Sequence, residues 1–180
     1  MARAFLLLIL SFIGCAASVL VPEVWFTAFV FAPMVLVSLL MLWQARGSAA
    51  QLVIIDGSNV MYWRNETPGW SAIEDVVAQV QRDGLKAGVM FDANAGYVLS
   101  GRYLHDEAFA KQLGLPVDQI MVVPKGTQAD GYILQAARDH KARIVTNDKF
   151  RDWADRFPEV ETPDLMISGR YRDGHLVLDV

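Results

Sequence analysis

The sequence feature that most constrains the fold is a short apolar run, residues 52–55, that ends abruptly in Asp-Gly-Ser-Asn. An apolar run of this length that stops at a glycine turn predicts a buried strand. Similar runs and helical spacings alternate after it: strands are predicted at 87–91, 119–123 and 143–146, and helices at about 71–82, 103–113, 128–139 and 150–156. We expect Ser71 and Thr127 to cap two of these helices. Alternating strands and helices predict an α/β domain with a mostly parallel sheet and helices on both faces, and residues 165–168 and 175–178 predict a C-terminal β-hairpin.

Two longer apolar runs precede this domain, residues 4–21 and 24–43, and only Glu23 is charged between Arg3 and Arg46. Each run is close to the length of about 20 residues that crosses a bilayer as a helix. We therefore expect a two-helix transmembrane hairpin, and the flanking arginines predict that both of its ends face the cytoplasm. A cleaved signal peptide is the alternative, but it leaves the second run unexplained.

These patterns divide the chain into a membrane hairpin at 1–46, a linker of mostly small residues at 47–51 and the α/β domain at 52–180. The net charge of −4 argues against a generally basic nucleic-acid-binding surface. Any nucleic-acid contact would therefore need a local basic patch. Cys15 is the single cysteine, which excludes an intramolecular disulfide and a multi-cysteine zinc site.

Carboxylates cluster at one predicted edge of the sheet. Asp56, Asp92 and Asp148 lie at or just after the ends of predicted strands, and Asp130 lies in the first turn of the helix after the third strand. Sites in parallel sheets form beyond the carboxyl ends of the strands. Asp152 follows Asp148 by four residues, so the two share a face if a helix begins there. The sequence thus predicts that up to five carboxylates meet.

Crowded carboxylates repel one another, and a divalent cation relieves that repulsion. Mg²⁺ and Mn²⁺ prefer oxygen ligands, and at such a centre they activate water and stabilise charge on a phosphodiester. Gly57 permits the turn after Asp56, while Ser58 and Asn59 offer hydrogen-bond donors for a phosphate or a water. The plainer alternative is that each of these acids only caps a helix or forms a turn.

Three segments carry a family resemblance: VIIDGSNVMYW, TQADGYILQAARDH and RIVTNDKFRDW. Together they resemble the NYN family of PIN-like nucleases, in particular the Regnase-type ribonuclease domain of CCCH zinc-finger proteins, over most of residues 52–180. The resemblance implies a Rossmann-like PIN fold, a Mg²⁺- or Mn²⁺-dependent acidic centre and endonucleolytic cleavage of RNA. The residues that match the family's acids and its asparagine are Asp56, Asp130, Asp148, Asp152 and Asn59.

The match suggests a role for each of these residues. Asp56, Asp130 and Asp148 are expected to bind the metal. Asp152 is expected to act through the metal shell or a water, and Asn59 to position the phosphate or the attacking water.

The chain departs from the family pattern in two places. Regnase-type relatives often have two adjacent acids where this chain has Asp130 and Gly131, and no CCCH zinc finger is present. The change at Gly131 either weakens metal binding or transfers a ligand to Asp92, which makes Asp92 a possible additional site residue. Ser58 is another, because its hydroxyl offers a hydrogen-bond donor.

Basic residues are expected in loops near the same edge of the sheet: Arg64, Lys125, Lys149 and Arg151. Loop cations of this kind contact RNA phosphates, although each is also explained as a solvated surface charge.

Three functional hypotheses follow. The first is a membrane-anchored, metal-dependent endoribonuclease. The second is a PIN-like module that binds RNA or a protein at the membrane without cutting, which the glycine beside Asp130 motivates. The third, a phosphatase of the haloacid dehalogenase type, needs a second aspartate where this chain has Ser58.

Overall fold

The structure is a computed structural model that describes residues 2–20, 28–47 and 50–179. The chain divides into two compact units, Met1–Ala49 and Ala50–Val180. Unit 1 holds helices α1 (Ala2–Leu20) and α2 (Ala28–Gly47). Unit 2 holds strands β1 (Leu52–Asp56), β2 (Lys86–Phe91), β3 (Ile120–Val122), β4 (Arg143–Val145), β5 (Met166–Arg172) and β6 (His175–Asp179). Its α-helices are α3 (Gly57–Val60), α4 (Trp70–Arg82), α5 (Ala95–Ser100), α6 (Asp106–Leu113) and α7 (Ala129–His140), and short 3₁₀ helices lie at Val117–Gln119, Arg151–Trp153 and Pro158–Glu161.

The six strands form one sheet in the order β3-β2-β1-β4-β5-β6. All neighbouring pairs are parallel except β5 and β6, which form an antiparallel hairpin. The predicted α/β class, mostly parallel sheet and C-terminal hairpin are therefore confirmed. Strand β1 lies between β2 and β4, so its last residue, Asp56, is at the centre of the carboxyl edge of the sheet.

Side chains of β1 alternate between two hydrophobic clusters because successive residues of a strand point to opposite faces of a sheet. Val53 and Ile55 pack in the cluster that α4 and α6 cover, and Ile54 packs in the cluster that α7 covers. All three side chains are almost fully buried. This burial on both faces explains why the strand is an uninterrupted apolar run rather than an alternating one.

Two predicted helices differ from those observed. Helix α6 begins at Asp106 rather than near 103, and the short helix α5 before it was not expected, since six residues are too few to show a helical period. The helix expected at 150–156 is a single 3₁₀ turn, Arg151–Trp153. Phe150, which precedes it, has a left-handed φ of 46°, a conformation that interrupts a regular α-helix.

Both predicted helix caps were wrong. Ser71 lies inside α4, which is preceded by Gly69 at the cap position without a side-chain hydrogen bond. The Thr127 hydroxyl donates to the carbonyl of Pro124 instead of capping α7. The first N–H of α7, that of Ala129, donates to the Asp92 carboxylate 3.1 Å away. A side chain from another part of the sheet therefore caps this helix, which local sequence does not reveal.

The helices of unit 1 pack against each other, and an added Cβ on Gly14 would lie 2.6 Å from the ring of Phe31. The expected transmembrane hairpin is not found: within the described part of the chain, no helix has both the length and the apolar character needed to cross a membrane. Residues 21–27, which include the expected turn and the start of the second expected span, lie outside the described residues.

Candidate active site

Four aspartates lie around the carboxyl edge of the sheet. Asp56 ends β1, Asp92 directly follows β2, and Asp148 follows β4 after two residues. Asp130 lies in the first turn of α7, the helix that follows β3. The parallel pairing of β1 with β2 and β4 places these chain ends side by side, so the fold assembles the acids as the order of strands predicts.

Asp56 is the buried member of the group, with 5% of its surface exposed. One carboxylate oxygen, Oδ1, accepts the backbone N–H of Asn59 at 3.1 Å, and Oδ2 accepts the hydroxyl of Thr146 at 3.0 Å. The Thr146 oxygen in turn accepts the backbone N–H of Asp148 at 3.1 Å. This hydroxyl therefore connects the acid of β1 to the loop that carries the acid after β4.

The pKa of Asp56 is raised from 3.8 to about 7, and burial is the largest cause. The negative charges of Asp130 and Asp92 also raise this pKa, while the hydrogen bonds from Asn59 and Thr146 lower it. Burial is also the main cause that raises the pKa of Asp130, and Asp148 and Asp92 add to it. The four carboxylates are thus close enough to repel one another. Such mutually perturbed acids at a sheet edge are typical of functional sites.

Asn59 is oriented by two groups that can only donate hydrogen bonds. Its side-chain oxygen accepts the indole N–H of Trp63 at 2.7 Å and the backbone N–H of Asn147 at 3.1 Å. Because both neighbours are obligate donors, the side-chain oxygen of Asn59 must face them. The amide nitrogen is left to donate elsewhere, and the predicted role of Asn59 in positioning a phosphate or a water stays a prediction.

Asn147 extends this arrangement to β5. Its side-chain amide donates to the carbonyl of Gly169 at 2.9 Å and accepts the N–H of the same residue at 3.0 Å. Neither Asn147 nor Thr146 was predicted as a site residue. Their position after a strand was visible in the sequence, but their partners depend on β4 lying between β1 and β5.

The possible additional residues, Asp92 and Ser58, are hydrogen-bonded into the frame of the site. The Ser58 hydroxyl oxygen accepts the backbone N–H of Asp92 at 2.8 Å, and one carboxylate oxygen of Asp92 caps α7. Asp92 therefore caps a helix, as the plainer alternative predicted for each acid, and it also lies close enough to Asp56 and Asp130 to raise the pKa of both.

We expected Asp148 and Asp152 to share one face of a helix, and this prediction is wrong. Asp148 precedes the 3₁₀ turn and accepts the backbone N–H of Phe150 at 2.9 Å, which closes a local turn. Asp152 lies within the 3₁₀ turn and is exposed. The left-handed backbone of Phe150 removes the four-residue helical spacing on which the expectation was based. The role of Asp152 stays a prediction.

The expected RNA-binding cations divide into two kinds. Arg64 pairs with Asp75 at 3.9 Å and lies over the ring of Tyr171, so it is engaged within unit 2. Lys125 and Lys149 are exposed in loops, and Arg151 is exposed at the start of the 3₁₀ turn that follows Asp148. None of the three has an ion pair within the described part of the chain.

The acids match Mg²⁺ or Mn²⁺ in the kind of donor that they offer, since carboxylate oxygens are the ligands these ions prefer. Across residues 2–20, 28–47 and 50–179, however, no three His, Cys, Asp or Glu side chains are grouped so as to hold a metal ion. Metal binding by Asp56, Asp130 and Asp148 therefore stays a prediction that agrees with the chemistry of the donors.

Gly57, the turn residue after Asp56, is required by its neighbour Phe91. An added Cβ would lie 2.3 Å from the phenyl ring, which is fully buried. We expect Gly57→Ala to lower the free energy of unfolding by about 1–3 kcal/mol, because overpacking a core costs that much. Urea unfolding measures this, with Gly69→Ala as control, where the nearest atom to an added Cβ is 3.9 Å away. Equal stability of the two variants would contradict the prediction.

Two solved structures share the fold. Both are of the nuclear protein-only RNase P 2 (PRORP2) from Arabidopsis thaliana. One aligns with a TM-score of 0.56 at 19% identity over 77% of this chain and 31% of that chain, and the other with a TM-score of 0.54 at 18% identity over 81% and 33%. The chain thus spans about a third of the length of each of these structures, and the likeness shows the fold.

The chain has no match among curated proteins. The family model of the Zc3h12a-like ribonuclease NYN domain matches residues 49–163, a range that includes Asp56, Asn59, Asp130, Asp148 and Asp152. This match covers more than half of the chain, and it agrees with the parallel sheet and the acidic edge. The protein therefore belongs to the family of Zc3h12a-like ribonuclease NYN domains.

Proposed function

We propose that this protein is a metal-dependent endoribonuclease. The observation that carries the proposal is the buried carboxylate of Asp56, held by Thr146 at the carboxyl edge of the sheet within electrostatic reach of Asp130. Burying a carboxylate among other acids costs stability. A ribonuclease family domain that accepts this cost at its sheet edge has a functional reason to do so.

Asp56, Asp130 and Asp148 would hold Mg²⁺ or Mn²⁺. When bound, the ion supplies Lewis-acid stabilisation of the phosphate charge and makes water a better nucleophile. The amide nitrogen of Asn59, oriented by Trp63 and Asn147, donates to a phosphate oxygen or to the attacking water.

The reaction proposed is hydrolysis of one phosphodiester bond. A water oxygen attacks the phosphorus in line with the 3′ oxygen, the bond from phosphorus to that oxygen breaks, and a proton from water is transferred to the leaving oxygen. The products are a 5′-phosphate and a 3′-hydroxyl. Asp152, exposed beside the site, is proposed to act through a water rather than by direct contact.

RNA is the proposed substrate, and the exposed cations near the acids support it. Lys125, Lys149 and Arg151 lie in the β3–α7 and β4–β5 connections and carry charge that no carboxylate pairs with among the described residues. Such cations contact phosphates and so position a strand without reading its sequence. Arg64 is a weaker candidate for RNA binding because it already forms an ion pair with Asp75.

A second candidate function is a module that binds RNA or protein without cutting. It is favoured by one observation: the described acids are not grouped as a ready set of three metal ligands. A catalytic site and a binding module differ in metal affinity. Binding of Mn²⁺ by the protein, measured by calorimetry, supports the nuclease, and no binding at millimolar Mn²⁺ supports the module.

Cleavage of labelled RNA by the purified chain tests the proposed activity. We expect internal cuts in single-stranded RNA with Mg²⁺ or Mn²⁺ and none with EDTA. A matched DNA of the same sequence measures the preference for RNA, and end labelling distinguishes 5′-phosphate products from others. Cutting that persists in EDTA would contradict the metal requirement.

We also propose that unit 1 places the nuclease domain at the cytoplasmic side of a membrane. Large apolar side chains of α1 and α2 are exposed, including Phe12 at 68% and Phe29 at 74%. Exposed apolar patches of this kind mark membrane or protein contact sites. We expect the full chain to sediment with membranes and a variant without residues 2–47 to stay in the supernatant. Equal sedimentation of both would contradict the proposal.

A further inference from the structure

The side chain of Trp153 contacts two consecutive residues of α7. Its indole N–H donates to Oδ2 of Asp130 at 3.1 Å. The far edge of the same ring lies over Gly131, where an added Cβ would be 2.8 Å from Cη2 and 3.0 Å from Cζ3. The ring therefore occupies the place of a side chain at residue 131 and at the same time holds the carboxylate at residue 130.

The indole ring of Trp153 is held in place by packing against buried side chains. Trp153 packs against the hydrophobic cluster beneath α7, and its ring centroid is 6.0 Å from that of Phe157, which is fully buried. A ring held by buried neighbours presents its N–H in one direction. The hydrogen bond to Asp130 is thus made by a rigid donor, which restricts the rotation of the carboxylate.

Glycine at residue 131 is otherwise unfavourable. The residue lies in the first turn of α7, where glycine is less stable than alanine by about 1 kcal/mol. Its φ is not in the left-handed region, so the backbone does not require glycine. The ring of Trp153 does require glycine at this residue, because it fills the space that a Cβ atom would occupy.

We propose that Trp153 is a positioning residue that holds Asp130 toward the metal, and that Gly131 is the small residue that makes room for it. The inference rests on the proposed function of the site. It changes the meaning of the departure at residue 131: a second carboxylate there would collide with the indole. The glycine is therefore part of a tryptophan-supported site, rather than the mark of a lost activity.

The contact between the two residues is tested by thermal unfolding. We expect Gly131→Ala to lower the melting temperature of the wild-type chain by about 3 °C or more, because the methyl group overpacks against the ring. In a Trp153→Ala background the same change is expected to raise the melting temperature, because alanine is the better helix former. A rise in both backgrounds would overturn the inference.

The positioning role is tested by Mn²⁺ binding, measured by calorimetry on the full chain. Trp153→Phe keeps an aromatic ring against Phe157 but removes the N–H, and we expect it to weaken Mn²⁺ binding roughly 10- to 100-fold, as loss of an outer partner of a ligand does. The matched control is Trp70→Phe, since Trp70 packs 5.4 Å from Phe109 in the other cluster. The control should bind Mn²⁺ as the wild type does.

The outcomes separate this inference from the proposed function. Wild-type protein that binds Mn²⁺ and cuts RNA, beside a Trp153→Phe variant with the same Mn²⁺ affinity, would overturn the positioning role and leave the nuclease intact. Wild-type protein that neither binds Mn²⁺ nor cuts would overturn the proposed function and the positioning role with it. If Trp153→Phe binds Mn²⁺ more weakly than the wild type and Trp70→Phe does not, both the positioning role and the proposed function are supported.

Discussion

Asp148→Asn is expected to abolish RNA cleavage while the fold is kept. Loss of an outer partner of a metal ligand costs 10- to 100-fold in activity, so loss of a proposed ligand should cost more than about 100-fold. The fold is expected to persist because the oxygen of an asparagine side chain still accepts the N–H of Phe150, and Asn forms such local turns as well as Asp does.

The measurement is the initial rate of cleavage of a labelled single-stranded RNA in saturating Mn²⁺, with circular dichroism to verify the fold. Asp118→Asn is the matched control, since it removes one negative charge at the opposite end of the sheet, where Asp118 lies 3.8 Å from Lys86. The control should cut at the wild-type rate. Full activity in Asp148→Asn would remove Asp148 from the site.

Asp56→Asn is expected to stabilise the protein at pH 8 in the absence of divalent ions, although it abolishes cleavage. A pKa of about 7 in the folded chain, against 3.8 for an ordinary aspartate, means that the folded state favours the protonated carboxyl. At pH values above 7 the buried charge then costs up to about 4 kcal/mol. Asparagine carries no charge, and its oxygen still accepts the N–H of Asn59.

The sign of the pH dependence follows from the same pKa. Because the folded state binds the proton of Asp56 more tightly than the unfolded state, the free energy of unfolding falls as pH rises from about 4 to 7 and then levels off. The raised pKa of Asp130 adds a change in the same direction. Urea unfolding at pH 5 and pH 8 should show a larger decrease for the wild type than for Asp56→Asn.

Metal linkage provides the second part of this measurement. A cation that binds the folded state stabilises it, so Mn²⁺ at pH 8 should raise the stability of the wild type and leave that of Asp56→Asn nearly unchanged. Parallel stability profiles of the two proteins between pH 5 and pH 8 would show that burial does not hold this carboxyl protonated. Stability gained together with lost activity is the trade-off expected of an active-site residue.

Much of the fold was predictable because it depends on local and periodic patterns. The apolar runs, the glycine after Asp56 and the alternation of strands with helices predicted the parallel sheet and the position of its acids. The shortest elements were not predictable. Helix α5 and the 3₁₀ turn at Arg151–Trp153 are shorter than two helical turns, so no apolar period distinguishes them.

The partners of the site residues were the part that sequence reasoning missed. Thr146, Asn147 and Trp153 support Asp56, Asn59 and Asp130 through hydrogen bonds between segments that are 23 to 90 residues apart. The predicted cap of α7 failed for the same reason, because the acid that caps this helix is Asp92, from the end of another strand.

The sequence by itself determined which acids meet at the carboxyl edge of the sheet, since three aspartates end or follow buried strands and Asp130 begins the helix after the third strand. Tertiary structure decided how each acid is held: Asp56 buried against Thr146, Asp92 used as a helix cap, and Asp130 bound by Trp153 over Gly131. The physical reason is that strand order sets which loops become neighbours. Burial and hydrogen bonding, which adjust the pKa and orientation of a carboxylate, depend on those neighbours and not on adjacent residues in the chain.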